Sequence, residues 1–239
     1  MGAPTVSAGC RPSVSCIIPV HNGERFLSES LDSALAQTHR LHELIVVDDG
    51  SEDRTAAVAG RYSEQVIYAR QKQSGAPAAR NRGIAIASGE FVAFLDADDL
   101  WHESKLARQL AEFEARPALG CCMTYLQNFW MDEVADEARR QRNSGLAKPQ
   151  PGGASTMVIR RRLFDEFGPL NADLKNRDVQ EWMLRVEKRG VDRMVLSDVL
   201  TYRRIHRANH SRARRGEELF DIIKASLEQR DRTRTTDGR

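Results

Sequence analysis

Four short apolar segments in the first half of the chain constrain its fold more than any other feature. The first three are rich in β-branched residues, and a helix is predicted after each of the four. The segments are 14–20, 44–47, 66–68 and 91–95. Buried strands that alternate with helices are typical of a parallel sheet covered by helices on both faces. The sequence therefore predicts an α/β fold over residues 13–115.

The second half of the chain has a different pattern. The predicted strands are 121–130, 155–159 and 194–202, the last with a turn near Ser197-Asp198, and the predicted helices are 161–167, 177–189 and 217–228. Residues 131–153 are polar and include two prolines near their end, which favours a loop or lid. We therefore divide the chain into an α/β half (13–115), a mixed second half of the same domain (116–215), and a C-terminal helix with a polar tail (216–239).

Composition narrows the class of protein. The 239 residues carry a net charge of only +2, so there is no global basic field of the kind that nucleic-acid binding requires. No apolar run approaches the roughly 18 residues of a membrane span, and no apolar leader is present at the N-terminus. The four cysteines lack metal-ligand spacing, which favours reduced thiols. We expect a cytoplasmic protein of undetermined oligomeric state.

A basic stretch at 203–215 leaves two interpretations open. It is either a solvated surface or a contact with an anionic partner such as a diphosphate or a phospholipid leaflet. Contact with a phospholipid leaflet would make the protein peripheral at the inner face of the membrane.

Aspartates follow two of the predicted strands directly. Asp48 and Asp49 end the second strand, and Asp96, Asp98 and Asp99 follow the fourth. The carboxyl ends of parallel strands share one edge of a sheet, where ligands bind in open α/β folds. Carboxylates packed so closely repel one another, and a divalent cation relieves that repulsion. The sequence therefore predicts a Mg²⁺ or Mn²⁺ site at this edge, against the alternative that each pair only caps a turn or helix.

Four segments resemble one large enzyme family. They read VSCIIPVHNGERFLSESLDSALAQT, ELIVVDDGSEDRT, GAPAARNRGIAIASGEFVAFLDADDLW and YRRIHRANHS. Their order and spacing are similar to those of the inverting glycosyltransferases of family 2, which have the GT-A fold, a Rossmann-like and mostly parallel sheet flanked by helices. The resemblance is dense over 13–115 and thinner beyond. It implies that the first half binds a nucleotide-sugar and the second half binds the acceptor and supplies the base.

The resemblance also assigns residues to the donor, which we expect to be a nucleotide-diphospho-sugar, most often linked to UDP in this family. It places five residues of the first strand end against the nucleoside: Pro19, Val20, His21, Asn22 and Glu24. Asp49 is similar to the residue that reads the base, and Arg80 matches a position near the nucleotide. Asp96-Ala97-Asp98 matches the D-x-D motif, in which the small Ala97 leaves room for the diphosphate.

The metal and the base follow from the same resemblance. Asp98 is the expected direct ligand of Mn²⁺ or Mg²⁺, Asp96 belongs to the metal or the ribose, and His206 is a further candidate for the metal or the diphosphate. Asp178 matches the catalytic base at the start of a helix. Arg177 stands where the family usually has Glu, which leaves Glu181 open as an alternative base.

The acceptor is the least constrained partner. The family implies a glycan or a lipid-linked glycan, and the faces of Trp101 and Trp182 suit sugars, although Trp182 also fits the apolar stripe of a helix. A second hypothesis, motivated by Arg177, is a member that binds a nucleotide-sugar without transferring it.

Overall fold

The computed structural model describes residues 11–141, 148–174 and 177–209. Within them the strands are β1 (Val14–Val20), β2 (Glu43–Asp48), β3 (Ile67–Arg70), β4 (Phe91–Phe94), β5 (Leu100–Trp101), β6 (Leu119–Trp130), β7 (Gln150–Pro151), β8 (Val158–Arg160) and β9 (Asp192–Ile205). The helices are α1 (Leu27–Leu35), α2 (Thr55–Gly60), α3 (Ala76–Ile86), α4 (Lys105–Ala115), α5 (Ala135–Gln141), α6 (Arg162–Phe167) and α7 (Asp178–Glu187). None of the helices described here has both the length and the hydropathy of a membrane span.

The strands form one sheet in the order β3-β2-β1-β4-β8-β6-β9-β5, with β7 paired to β6. Strands β3, β2, β1 and β4 are parallel, and β8 joins them antiparallel to β4. The chain runs outward from β1 to β3 and then crosses back to β4 on the other side of β1. That reversal is a topological switch point, and the crevice beyond the carboxyl ends of β1 and β4 is the expected ligand site. The predicted α/β fold is confirmed.

Strand β1 explains why helices cover both faces. All seven of its residues are buried, and its apolar side chains divide between two clusters on opposite faces of the sheet. Cys16 and Ile18 pack with α1 and α4, whereas Ile17 faces α3 on the opposite side. Helix α3 comes close to the sheet because Gly83 lies directly over Ile17.

We predict that Gly83→Ala destabilises the protein by about 1–3 kcal/mol, although alanine favours helices, because the added Cβ overpacks the core. An ideal Cβ at this position lies 2.3 Å from Ile17 Cγ2. Gly60→Ala in α2 is the matched control, since a Cβ there meets nothing within 4 Å. Urea unfolding of both variants measures the difference, and equal free energies of unfolding would contradict the close approach.

Several details of the second half differ from the sequence prediction. The predicted 131–153 loop contains a 3₁₀ turn at Asp132–Val134 followed by α5. The predicted turn at Ser197-Asp198 is instead an irregularity inside one continuous strand, where the pairing of β6 with β9 shifts register between Met123 and Tyr125. The two-residue strand β5 was not predicted. The helix predicted at 217–228 and the polar tail lie outside the described residues.

Lys105 in α4 is a fully buried cation that the sequence prediction did not single out. Its Nζ donates to Gln109 Oε1 at 2.8 Å and lies 4.2 Å from the centre of the Trp101 ring. Burial lowers the pKa of Lys105 to about 7, and the neighbouring thiols of β1 and β6 offset this only in part. Those thiols belong to Cys16, Cys121 and Cys122.

This lysine gives the free energy of unfolding a defined pH dependence. Below about pH 7 both states carry the proton, and the folded state bears the full cost of the buried charge. Between about pH 7 and the ordinary lysine pKa of 10.5, only the unfolded state keeps the Lys105 proton. The free energy of unfolding therefore rises with pH over this range, by up to about 5 kcal/mol. We predict that Lys105→Met removes this rise and that Lys72→Met, at an exposed site, does not. Urea unfolding at pH 7 and pH 9.5 tests it; identical pH slopes for wild type and Lys105→Met would contradict it.

Candidate active site

The loops that follow β1 and β2 are bonded to each other. Asn22 adopts a left-handed φ of 52°, which asparagine tolerates better than most residues. Its backbone N donates to Ser51 Oγ at 2.9 Å, and its Oδ1 accepts from the backbone N of Glu52 at 2.9 Å. Glu24 Oε2 accepts from the backbone N of Arg54 at 3.0 Å. These side chains shape the mouth of the crevice through the backbone that they hold.

The rest of the predicted nucleoside side divides between core and crevice. Pro19 and Val20 are buried at the end of β1. The Nδ1 atom of His21 lies 3.0 Å from the carbonyl oxygen of Asp49, and its Nε2 atom lies 3.1 Å from Gln73 Nε2. The imidazole therefore links the ends of β1 and β2 to the segment after β3.

Asp49 is buried and already accepts three hydrogen bonds. Its Oδ1 accepts from Gln71 Nε2 and from the backbone N of Ser74, both at 2.8 Å. Its Oδ2 accepts from the backbone N of Gly75 at 2.7 Å. A cavity of about 530 Å³ opens beside it between the loops after β2 and β3; it is lined by Gly50, Glu52, Arg70, Gln71, Lys72 and Gln73.

Asp48, which precedes it, has a structural environment. It is fully buried, its Oδ1 accepts from the backbone N of Ser51 at 2.7 Å, and its Oδ2 accepts from the hydroxyl of Tyr68. Burial and the Asp48 carboxylate together raise the pKa of the Tyr68 phenol.

The segment after β4 carries the D-x-D residues into the crevice. Ser30 Oγ lies 2.8 Å from the carbonyl oxygens of both Ala97 and Asp99, which fixes the backbone of the turn. Asp99 turns inward, where its Oδ2 accepts from Ser155 Oγ at 2.7 Å. Burial, together with the charges of Asp98 and Asp96, raises the pKa of Asp99 well above its ordinary value. Asp96 and Asp98 are the two carboxylates that remain partly exposed.

Asp98 meets the segment that follows β9. Its Oδ2 lies 3.0 Å from His206 Nε2 and accepts from Asn209 Nδ2 at 2.8 Å. Arg204 Nε donates to the carbonyl oxygen of Asp98 at 3.0 Å, and its guanidinium stacks against Phe26. Among the described residues no group of three or more His, Cys, Asp or Glu side chains is arranged to hold a metal ion. Asp98 and His206 thus form a two-residue cluster.

Arg80 joins the two sides of the crevice. Its Nη1 lies 2.9 Å from both carboxylate oxygens of Asp178, and its Nη2 donates to Asp96 Oδ1 at 2.7 Å. Arg80 and Asp178 are both buried. Burial alone would lower the pKa of the guanidinium, but the carboxylates of Asp178 and Asp96 outweigh it and raise that pKa, so Arg80 stays charged. The Arg80 guanidinium therefore connects Asp178, the first residue of α7, to Asp96 of the D-x-D segment.

Glu181, the alternative base, lies in a different environment. Its Oε1 is 3.4 Å from Arg185 Nε, and its buried Oε2 has no hydrogen-bond partner. Burial raises its pKa, and Arg185 opposes that rise. Asp178 contacts Arg80 and is joined through it to Asp96, whereas Glu181 pairs with Arg185 of its own helix.

The two tryptophans considered for the acceptor lie in the core. Trp101 is 4% exposed and donates its indole N–H to the carbonyl oxygen of Ser155, and Trp182 is fully buried, stacks on Phe164 and donates to the carbonyl oxygen of Gly168. Neither ring face is available to a sugar, which corrects the acceptor-side interpretation. Two residues that the sequence analysis did not assign to the site contact its aspartates: Ser155 bonds to Asp99, and Asn209 bonds to Asp98. Only Asn209 had a sequence signal, as part of the segment shared with His206.

We predict that Arg80→Met lowers the free energy of unfolding by about 3–5 kcal/mol, because it leaves the Asp178 carboxylate buried without a cation. Arg54→Met is the matched control: its ion pair with Glu24 is exposed on both sides, so a change of no more than about 1 kcal/mol is expected. Chemical denaturation of the two variants measures both. A loss for Arg80→Met as small as that of the control would contradict the buried bridge.

Comparison with known proteins agrees with this fold. The family model described as Glycosyl transferase family 2 matches residues 15–168, and the chain belongs to that family. An uncharacterized glycosyltransferase of Rickettsia typhi, RT0329, is 42% identical over 99 residues, which cover 41% of this chain and 31% of that protein. The putative teichuronic acid biosynthesis glycosyltransferase TuaG of Bacillus subtilis is 39% identical over 105 residues, 42% of this chain and 41% of its own. The matched segments thus span less than half of either relative.

Solved structures share the fold at low sequence identity. TarS of S. aureus in complex with UDP-GlcNAc superposes with a TM-score of 0.73 at 20% identity and covers 89% of this chain and 65% of its own. The mannosyltransferase PcManGT of Pyrobaculum calidifontis, in complex with GDP-Man and Mn²⁺, superposes with a TM-score of 0.71 at 21% identity and covers 92% and 65%. The predicted GT-A fold is therefore confirmed.

Proposed function

We propose that this protein transfers a sugar from a nucleotide-diphospho-sugar to a hydroxyl of a glycan or lipid-linked acceptor, with inversion. The observation that carries the proposal is the bridge from Asp178 through Arg80 to Asp96. It brings a buried carboxylate at a helix start to the crevice where the D-x-D segment ends. Inversion needs a base on the acceptor side, opposite the departing diphosphate. In this proposal the start of α7 supplies the base, and the D-x-D segment after β4 faces the diphosphate.

Asp178 is the proposed base. Arg80 fixes its orientation, because one guanidinium nitrogen is equidistant from both carboxylate oxygens. Each oxygen retains a lone pair with which to accept the proton of the acceptor hydroxyl. Arg177 caps α7 with a left-handed φ of 59°, so the departure from the usual Glu changes the residue before the base and leaves the helical start at Asp178 intact.

The donor side fits a divalent cation held jointly with a diphosphate. Asp98 and His206 are 3.0 Å apart and offer one carboxylate and one imidazole, and Mg²⁺ or Mn²⁺ is commonly held by one or two carboxylates together with substrate phosphates. When bound, the ion supplies stabilisation of the negative charge that grows on the leaving diphosphate. Asp96, with one oxygen on Arg80, belongs in this proposal to the ribose or the outer metal shell. Mn²⁺ in the PcManGT complex supports it.

The nucleoside belongs at the ends of β1 and β2. Asp49 would accept an N–H of the base, the loop of His21, Asn22 and Glu24 would lie against the nucleoside, and Ala97 would leave room for the diphosphate. UDP is our first choice of nucleotide, supported by the UDP and UDP-GlcNAc complexes of TarS, with GDP as the second, supported by PcManGT. An acceptor at a membrane surface would bring the protein to that surface.

The test is a donor panel of UDP-, dTDP- and GDP-sugars with Mn²⁺. We expect one donor class to bind and to release nucleoside diphosphate slowly, by transfer to water, even without an acceptor. Binding without release in the presence of a broad acceptor mixture would favour the alternative, a nucleotide-sugar-binding protein without transferase activity. Absence of binding by every donor would contradict the proposal.

A further inference from the structure

Asn209 has the contacts of a positioning residue for the proposed metal site. It is 8% exposed, and its side chain makes three hydrogen bonds. Its Oδ1 accepts from the backbone N of His206 at 2.6 Å, and its Nδ2 donates to Asp98 Oδ2 at 2.8 Å and to the carbonyl oxygen of Arg204 at 3.0 Å. One amide therefore ties both candidate ligands to the end of β9.

These contacts fix the orientation of the amide. The backbone N–H of His206 can only donate, so the oxygen of Asn209 must face it, and the NH₂ group must then face Asp98 and Arg204. A flipped amide would place the NH₂ group of Asn209 against the backbone N–H of His206. It would also place the amide oxygen against the carbonyl oxygen of Arg204, which would then lose its donor. The group that Asn209 presents to the metal site is thus a donor, which cannot bind a cation.

The NH₂ group of Asn209, a hydrogen-bond donor, limits the number of protein ligands that a cation can find here. Asp98 Oδ2 already has Asn209 Nδ2 and His206 Nε2 within hydrogen-bond distance. Mg²⁺ and Mn²⁺ favour about six oxygen or nitrogen ligands, so two protein groups alone hold them weakly. A carboxylate at position 209 would add a third ligand beside these two while its other oxygen kept the bond to His206.

We infer that Asn209 keeps this site at two protein ligands, so that a divalent cation binds only together with the nucleotide diphosphate. The inference rests on the proposed function, because it assumes that Asp98 and His206 face the cation. Asn209 acts by holding Asp98 and His206 in place and by withholding a third ligand. Metal and donor then bind and leave as a unit.

The test compares Mn²⁺ alone and Mn²⁺ with UDP, repeated with GDP, by calorimetry and by the electron paramagnetic resonance signal of free Mn²⁺. For Asn209→Asp we expect affinity for Mn²⁺ alone to rise at least about ten-fold over wild type, the scale on which partners around a metal act. For Asn209→Ala we expect Mn²⁺ to bind about 10–100-fold more weakly with the nucleotide present.

The double variant Asp98→Asn with Asn209→Asp is the matched control. It has the charge of the wild type and again offers one carboxylate and one imidazole, so its affinity for Mn²⁺ alone should return to the wild-type value. A thermal melt of each variant confirms folding. Unchanged Mn²⁺ affinity in Asn209→Asp, or a double variant that binds Mn²⁺ as tightly as the single one, overturns the inference. If wild type binds UDP and GDP equally with and without Mn²⁺, the proposed metal use fails instead.

Discussion

Asp178→Asn is expected to reduce sugar transfer by about 10²–10⁴-fold, the usual contribution of a general base, while nucleotide-sugar binding stays within about two-fold of wild type. The change removes the charge and the proton-accepting capacity but keeps the size of the side chain. Arg80 retains its bond to Asp96, and the amide oxygen of the new residue can still accept from Nη1. Donor turnover and calorimetric donor binding, measured on the same preparation, separate the two effects.

Glu181→Gln is the matched control, one turn further along the same helix. Glu181 forms an ion pair with Arg185 on α7 itself, and we expect its amide variant to retain most of the activity. If Glu181→Gln loses the larger share and Asp178→Asn is active, the base is Glu181 and the bridge to Arg80 is structural. If both variants lose donor binding as well as turnover, the helix start shapes the donor site and the assignment of a base to it is wrong.

Asp98→Asn is expected to weaken nucleoside diphosphate binding in Mn²⁺ by about 100-fold, since loss of a partner that only orients a metal ligand already costs about 10–100-fold. The physical reason is the loss of the carboxylate that lies 3.0 Å from His206 Nε2. Chelation of the metal should reduce wild type to the affinity of the variant and should leave the variant unchanged.

Asp165→Asn on α6 is the control for this change, because it removes the same charge from an exposed ion pair with Arg161. It should bind the nucleotide like wild type, with and without the metal. The proposal of a metal held by Asp98 fails if Asp98→Asn binds the nucleotide as tightly as this control in Mn²⁺.

The sequence predicted the first half of the fold well because β1, β2 and β4 are buried and read as continuous apolar runs, although the edge strand β3 is mostly exposed. It predicted the second half less well, for specific reasons. Helix α5 has no buried residue, so no apolar periodicity distinguishes it from a loop. The irregularity in β9 contains Ser197 and Asp198, which have the composition of a turn although the strand continues through them.

In the candidate site, too, some features could be predicted from the local sequence and others could not. The D-x-D segment follows a buried strand and could be read from the sequence alone. The ion pair between Arg80 and Asp178 joins residues 98 positions apart, and nothing in either local sequence indicates that they meet. Asn209 was part of a recognised segment, but its position between Asp98 and His206 depends on how β9 lies against the loop after β4.

The place of β8 in the sheet has a consequence for how the chain can be divided. Strand β4 ends the run of four parallel strands, and its outer edge is closed by Val158–Arg160, which lie far along the sequence. A fragment that stops near residue 115 would therefore leave the hydrogen-bonding edge of a buried strand open, and such an edge invites pairing with other chains. In folding terms, we therefore expect residues 13–115 and the strand that closes β4 to unfold together as one unit.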